Sequence, residues 1–129
     1  MVDLSISDDK AITFHKVDVV ADVGPIVNLS GAENQCAGSV IDGISTMMNH
    51  GLEIKGGVVQ NSNYDQYPLM RMDSAPDIDV HFIQSDNSPT GLGEPALPPI
   101  AGAVVNAIFD ITGERVRELP LAKSGYSFA

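Results

Sequence analysis

Apolar and polar residues alternate strictly at the start of the chain. Val2, Leu4 and Ile6 share one face, and Asp3, Ser5 and Ser7 the other, the period of a half-buried strand. Asp8-Asp9-Lys10 supplies turn chemistry. In the next strand Ile12 and Phe14 lie out of phase with Val17, Val19, Ala21 and Val23. A one-residue insertion restores the phase, so a β-bulge is predicted near His15-Lys16, and Gly24-Pro25 ends the strand.

The pattern then changes period. Ala32, Cys36, Val40, Ile41, Ile44, Met47 and Met48 recur on one helical stripe. Ser30 and Glu33 have capping-box spacing and Gly51 can end the helix in a left-handed conformation, which predicts a helix over 31–50. Gly38, Ser39 and Gly43 lower its intrinsic helicity, so a strand or a ligand is expected to approach its backbone closely. Gly56-Gly57 between two β-prone runs signals a hairpin. Residues 61–77 and 86–99 read as long loops, of a kind often functional in a small domain, and Ile78, Val80 and Phe82 as a strand between them. A last helix starts near Pro98-Pro99, carries Ile100, Val104, Ala107, Ile108 and Ile111 on one stripe, and stops at Gly113. The order β-β-α-β-β-β-α predicts an α+β fold, a mainly antiparallel sheet packed by two helices. Residues 1–121 are expected to form one domain and 122–129 a flexible tail.

Charge narrows the function. Seventeen acidic against seven basic residues give a net charge of −10 over 129 residues, which repels phosphate backbones and excludes a general nucleic-acid binder. Cys36 is the single cysteine, and with His15, His50 and His81 scattered, no zinc spacing arises. No signal-peptide pattern and no bilayer-spanning apolar run is read, so a soluble cytoplasmic protein is expected.

Gly91-Leu92-Gly93-Glu94-Pro95 is the most suggestive constellation. Gly91 and Gly93 leave a backbone that a ligand can approach. Glu94 then reads either as a general base against an apolar pocket or as a complement to the following helix dipole. Gln35, near the start of the first helix, reads either as a ligand contact beside free N–H groups or as a solvent-facing residue. Cys36, Met47 and Met48 fall on the apolar stripe and read as core. Met70 and Met72 are loop residues that could line a cavity. A hydrolase built on Glu94 and a second carboxylate has no motif behind it.

Several segments taken in order resemble one family. These are Val17–Asn28, Gln35–Ser45, Gly57–Met72, Gly91–Ala101 and Asn106–Leu121. Together they are similar to the molybdenum hydroxylases of the xanthine dehydrogenase type, most of all the molybdopterin-binding β subunit of isoquinoline 1-oxidoreductase-like aldehyde dehydrogenases. The resemblance runs from about Asp9 to Leu121. It implies that Glu94, in the Gly-x-Gly-Glu-Pro motif, is the catalytic base beside molybdenum, with water as the oxygen source. It also implies that Gln35 contacts the pterin cofactor, flanked by the Gly91 and Gly93 backbone, and that no protein side chain ligates the metal. The implied cofactor is molybdopterin in its cytosine dinucleotide form.

Ala37, Ser39 and Pro25 depart from the family pattern, and a family molybdenum subunit is several times longer. The expected function is therefore the C-terminal cofactor-binding piece of a hydroxylase acting on an aldehyde or N-heterocycle. It would be inactive, and without cofactor, until joined by the remainder of the molybdenum subunit and a 2Fe-2S subunit. The alternative is a free-standing, homo-oligomeric binding module without catalysis.

Overall fold

The computed structural model describes all 129 residues, Met1–Ala129. Strand β1 (Val2–Ile6) pairs antiparallel with the long strand β2 (Ala11–Ala21). The register passes from Asp3 opposite Lys16 to Leu4 opposite Phe14, so His15 is the bulged residue, where the phase change predicted it. The bulge turns both Phe14 and Val17 into the core. His15 instead lies on the open face, its Nε2 within 2.8 Å of Ser5 Oγ.

Helix α1 (Leu29–Asn49) begins two residues earlier than the pattern predicts. Asn28, not Ser30, is the cap: its side-chain oxygen accepts the Gly31 N–H at 3.0 Å. The Ser30 hydroxyl donates to that same oxygen and forms no box with Glu33. The left-handed stop expected at Gly51 is also absent, since the helix ends at His50 in an extended conformation. Extended backbone leads directly into the hairpin, where a left-handed residue would reverse the chain.

Strands β3 (Ile54–Lys55) and β4 (Val58–Val59) form the expected hairpin, with Gly56 and Gly57 both at positive φ, +57° and +79°. A 3₁₀ turn at Tyr64–Gln66 interrupts the following loop. Strand β5 (Asp77–Phe82) then joins β2 in parallel, pairing Lys16 with Asp77 through to Ala21 with Phe82. The path from β2 through α1 to β5 is thus a crossover, where the element order suggested hairpins alone. The α+β class holds, within a sheet of mixed direction.

Helix α2 (Leu97–Thr112) starts at the paired prolines and ends at Gly113 in the left-handed region. Its apolar stripe packs on the sheet and on α1: Ile100, Val104 and Ile108 meet Val40, Ile44, Met47 and Met48 over Leu4, Ile12, Phe14 and Val17. Ile111, assigned to that stripe from its spacing, is instead exposed. Helix α2 is also what approaches the α1 backbone. A Cβ at Gly43 would lie 2.5 Å from Ile100 Cγ2 and 3.0 Å from the Leu97 carbonyl oxygen.

The C-terminal residues are ordered, where a flexible tail was expected for 122–129. A 3₁₀ turn (Leu121–Ser124) leads to strand β6 (Ser127–Phe128), which pairs parallel with Ala11 and Ile12 of β2. Leu121 and Tyr126 are buried. The Tyr126 hydroxyl and Lys10 Nζ both donate to Glu114 Oε2, at 3.1 and 2.9 Å. Those bonds hold the Glu114 carboxyl below its usual range, and desolvation together with Glu114 pushes the Tyr126 phenol up. No helix is long and apolar enough to cross a membrane.

Candidate functional site

The turn after β2 and the loop after β5 lie against each other. Ile83 N–H donates to the Ala21 carbonyl at 2.9 Å and Thr90 N–H to the Val23 carbonyl at 3.1 Å. Between them Gly24, at φ +73°, comes so close that a Cβ would sit 2.4 Å from the Asn87 carbonyl oxygen. Only glycine combines that dihedral with that approach.

Beside this junction opens a cleft of about 380 Å³ against the N-terminal part of α1, lined by Val23, Val27, Asn28, Gln35, Thr90 and Leu92 among others. Gln35 is the seventh residue of α1, a turn beyond the free N–H groups that the predicted helix start placed beside it. Its amide makes no hydrogen bond within the chain and is free to donate and accept together.

Gly93 is brought to Gln35. A Cβ at 93 would stand 3.1 Å from Gln35 Oε1, so any side chain there would displace the amide. Glu94 follows directly. Its carbonyl accepts the Leu97 N–H at 3.0 Å, whereas its carboxylate is exposed and caps nothing on α2, whose N-cap is Ala96 without a side-chain bond. Burial of Glu94 against an apolar pocket is therefore not met within this chain. Gly91 stands apart, with open space around its backbone.

Other expectations resolve plainly. Cys36 is buried and desolvation pushes its thiol up, so it is an unreactive packing residue. Met47, Met48 and Met70 are core, while Met72 is exposed. No three His, Cys, Asp or Glu side chains gather as a ligand set for a bare metal ion.

Sequence reasoning passed over Thr90 in the cleft wall, since a polar loop gives no periodic signal that would single it out, and named Leu92 only as part of the Gly91–Pro95 motif. It also passed over a second cavity, of about 690 Å³, at the far end of α1. There the His50 ring stacks on Tyr67 with centroids 3.3 Å apart, and His50 Nε2 lies 3.0 Å from the Pro68 carbonyl. With His50 fifteen positions after Gln35, the two cavities lie about 22 Å apart along the helix.

At this cleft a neutral amide able to donate and accept faces a backbone stripped of its side chain at Gly93.

Comparison with known proteins places the chain in a family. Residues 7–76 match the molybdopterin cofactor-binding domain family. The chain is 33% identical over 110 residues to a membrane-bound aldehyde dehydrogenase [pyrroloquinoline-quinone] of Gluconacetobacter polyoxogenes, covering 85% of this chain and 14% of that protein. It is 31% identical over 113 residues to isoquinoline 1-oxidoreductase subunit beta of Brevundimonas diminuta, covering 88% and 14%. In fold it is similar to quinoline 2-oxidoreductase from Pseudomonas putida 86, with a TM-score of 0.80 at 19% identity over 92% of this chain and 16% of that one. The chain thus spans about a seventh of the length of these curated relatives. It belongs to the molybdopterin cofactor-binding domain family of the molybdenum hydroxylases.

Proposed function

We propose that this chain forms one wall of a molybdenum-cofactor site in an oxidoreductase acting on an aldehyde or an N-heterocycle. The observation that carries this reading is the meeting of Gln35 and Gly93 at the mouth of a cleft. The Gln35 amide holds the pterin by paired donor and acceptor contacts, and the Gly91–Gly93 backbone leaves room for it. Bound there, a molybdopterin cofactor (the cytosine dinucleotide form) supplies the two-electron redox chemistry, with water as oxygen source. Glu94 accepts a proton at its carboxylate, which is exposed and in no ion pair within this chain, so it is open to a facing wall. The facing wall, which would bury Glu94, comes from the remainder of the molybdenum subunit, and a 2Fe-2S subunit carries electrons away. The relatives' greater length supports the first requirement, and the name of one of them, a subunit beta, supports a partner chain in general.

The test is assembly with those parts, followed by elemental analysis and aldehyde-oxidation assays. Glu94→Gln is expected to retain molybdenum and lose about 10²–10⁴-fold in kcat, and Gln35→Ala to lower molybdenum content. Full activity in Glu94→Gln would remove the base from the scheme.

A second reading, a non-catalytic module that self-associates, draws on the exposed apolar side chains Leu52, Ile54, Val58, Tyr64, Leu69 and Met72. Under it neither substitution changes anything, and light scattering finds the chain alone as a dimer or larger.

A further inference from the structure

The loop bearing Gly93 and Glu94 is fastened upstream by a carboxylate that the proposed chemistry does not use. Asp22 follows β2 directly and accepts hydrogen bonds from three neutral donors. The Ser85 hydroxyl and the Gly24 N–H, the latter at 3.4 Å, reach Oδ1, and Asn87 Nδ2 reaches Oδ2 at 2.8 Å. No cation pairs with Asp22, so its charge is spent on these donors, and bonds to an ionised acceptor are the stronger kind. The Ser85 hydroxyl, ahead of the other partners, holds the Asp22 carboxyl below its ordinary range.

The loop has little else to place it. From Asp86 to Pro95 only Leu92 is even half-buried, so apolar burial does not decide where the segment lies. Its backbone has one long-range bond, Thr90 N–H to the Val23 carbonyl. That bond and the glycine contact at position 24 both require the Asp22–Pro25 turn and the 85–90 segment to be in register already.

We propose that Asp22 is a positioning residue for the cofactor cleft: its carboxylate clamps Ser85 and Asn87 to the turn after β2, and so sets Gly93 against Gln35 and Glu94 at the start of α2. Asp22 touches neither cofactor nor substrate. The purpose assigned to the clamp rests on the proposed cofactor site; the clamp itself belongs to the chain alone.

The test is residue-resolved amide hydrogen exchange on the whole chain, with a urea unfolding curve for each variant. Asp22→Ala is expected to speed exchange at the Asn87 and Thr90 amides about tenfold. The α1 amides of 40–48 and the urea midpoint should stay as they were. Asp22→Asn keeps an oxygen for Ser85 and Gly24 and, once the Asn87 amide turns over, a donor for its oxygen, so it should restore most of the protection. Ser85→Ala and Asn87→Ala reach the same loop without altering the turn, and each should give part of the Asp22→Ala effect even if that variant folds poorly.

Unchanged exchange at Thr90 in all of these variants would overturn the clamp. So would equal loosening of α1, since the Asp22 position would then serve general stability alone; an Asn variant as loose as Ala would support the clamp and show that it depends on the charge. A loosened loop combined with a fully active assembled Glu94→Gln would retire the proposed base and leave the clamp standing.

Discussion

In the C-terminal half of α1, Gly43, Ser45, Met47 and Met48 are all buried, whereas in the N-terminal half Glu33, Asn34, Gln35 and Gly38 face outward. Both halves carry a mid-helix glycine, and each costs the helix the same intrinsic stability. At Gly43 that cost is offset by contact: α2 crosses so closely that a methyl group would overlap Ile100. At Gly38 nothing lies within 4 Å. One glycine is a packing device and the other an open surface, on a single helix less than two turns apart. The closed half is packed on both sides, and the open half keeps an exposed face beside its buried Ala32 and Cys36.

The sharpest way to break this contrast is to fill the closed side. Gly43→Val places branched carbons where Ile100 Cγ2 and the Leu97 carbonyl now stand, and backbone at the start of α2 cannot step aside without leaving the sheet. Unfolding in urea should show a loss of about 2–3 kcal/mol. A loss under about 0.5 kcal/mol would mean that α2 slides freely and that its contact with α1 is not specific.

A smaller effect is expected two residues further along the closed half. The Ser45 hydroxyl donates to the Ile41 carbonyl and accepts the buried Met70 N–H, each at 2.9 Å. That second bond ties the long loop 61–76 to the helix. Ser45→Ala removes the only acceptor for the Met70 N–H, which should cost about 1–3 kcal/mol. Exchange at the Met70 amide should speed up more than exchange within α1. Equal acceleration in both would show that the loop and helix open together, so that the hydroxyl is not the tie.

Much of the buried face of α1 was legible in the sequence because burial obeys a period. The stripe Ala32, Cys36, Val40, Ile44, Met47 and Met48 is buried as its spacing requires, and the phase shift in β2 located the bulge at His15. Cap and stop residues were less legible. Asn28 and Ser30 are comparable cap residues by type, so spacing alone does not rank them; the helix starts at Leu29, which leaves Asn28 outside to accept the Gly31 N–H and puts Ser30 within the first turn. The parallel placement of β5 and β6 was hidden as well, since a strand's pattern records which face is buried and not which way its neighbour runs. Near the cleft, Gln35 and the Gly91–Pro95 motif stand out by residue type, and the chain does bring Gly93 to Gln35. The clamp does not stand out, because Asp22, Ser85 and Asn87 are ordinary turn residues until the chain brings them together.

The open half offers the mildest test. Gly38→Ala adds a methyl group into free space at a position with ordinary helical dihedrals, so the unfolded chain loses more freedom than the helix does. A gain of about 0.5–1 kcal/mol is expected, read as a rise in melting temperature of about 2–5 °C. That gain is available only while nothing covers the outward face of α1. In the isolated chain, a neutral or negative result would mean that a contact already occupies Gly38 and that the two glycines differ less than their surroundings indicate. Stabilisation of the isolated chain combined with reduced molybdenum retention in the assembled subunit would give the comparison its functional edge. The same methyl group that strengthens the helix would then be intruding on whatever the open wall is shaped to receive, one turn from Gln35.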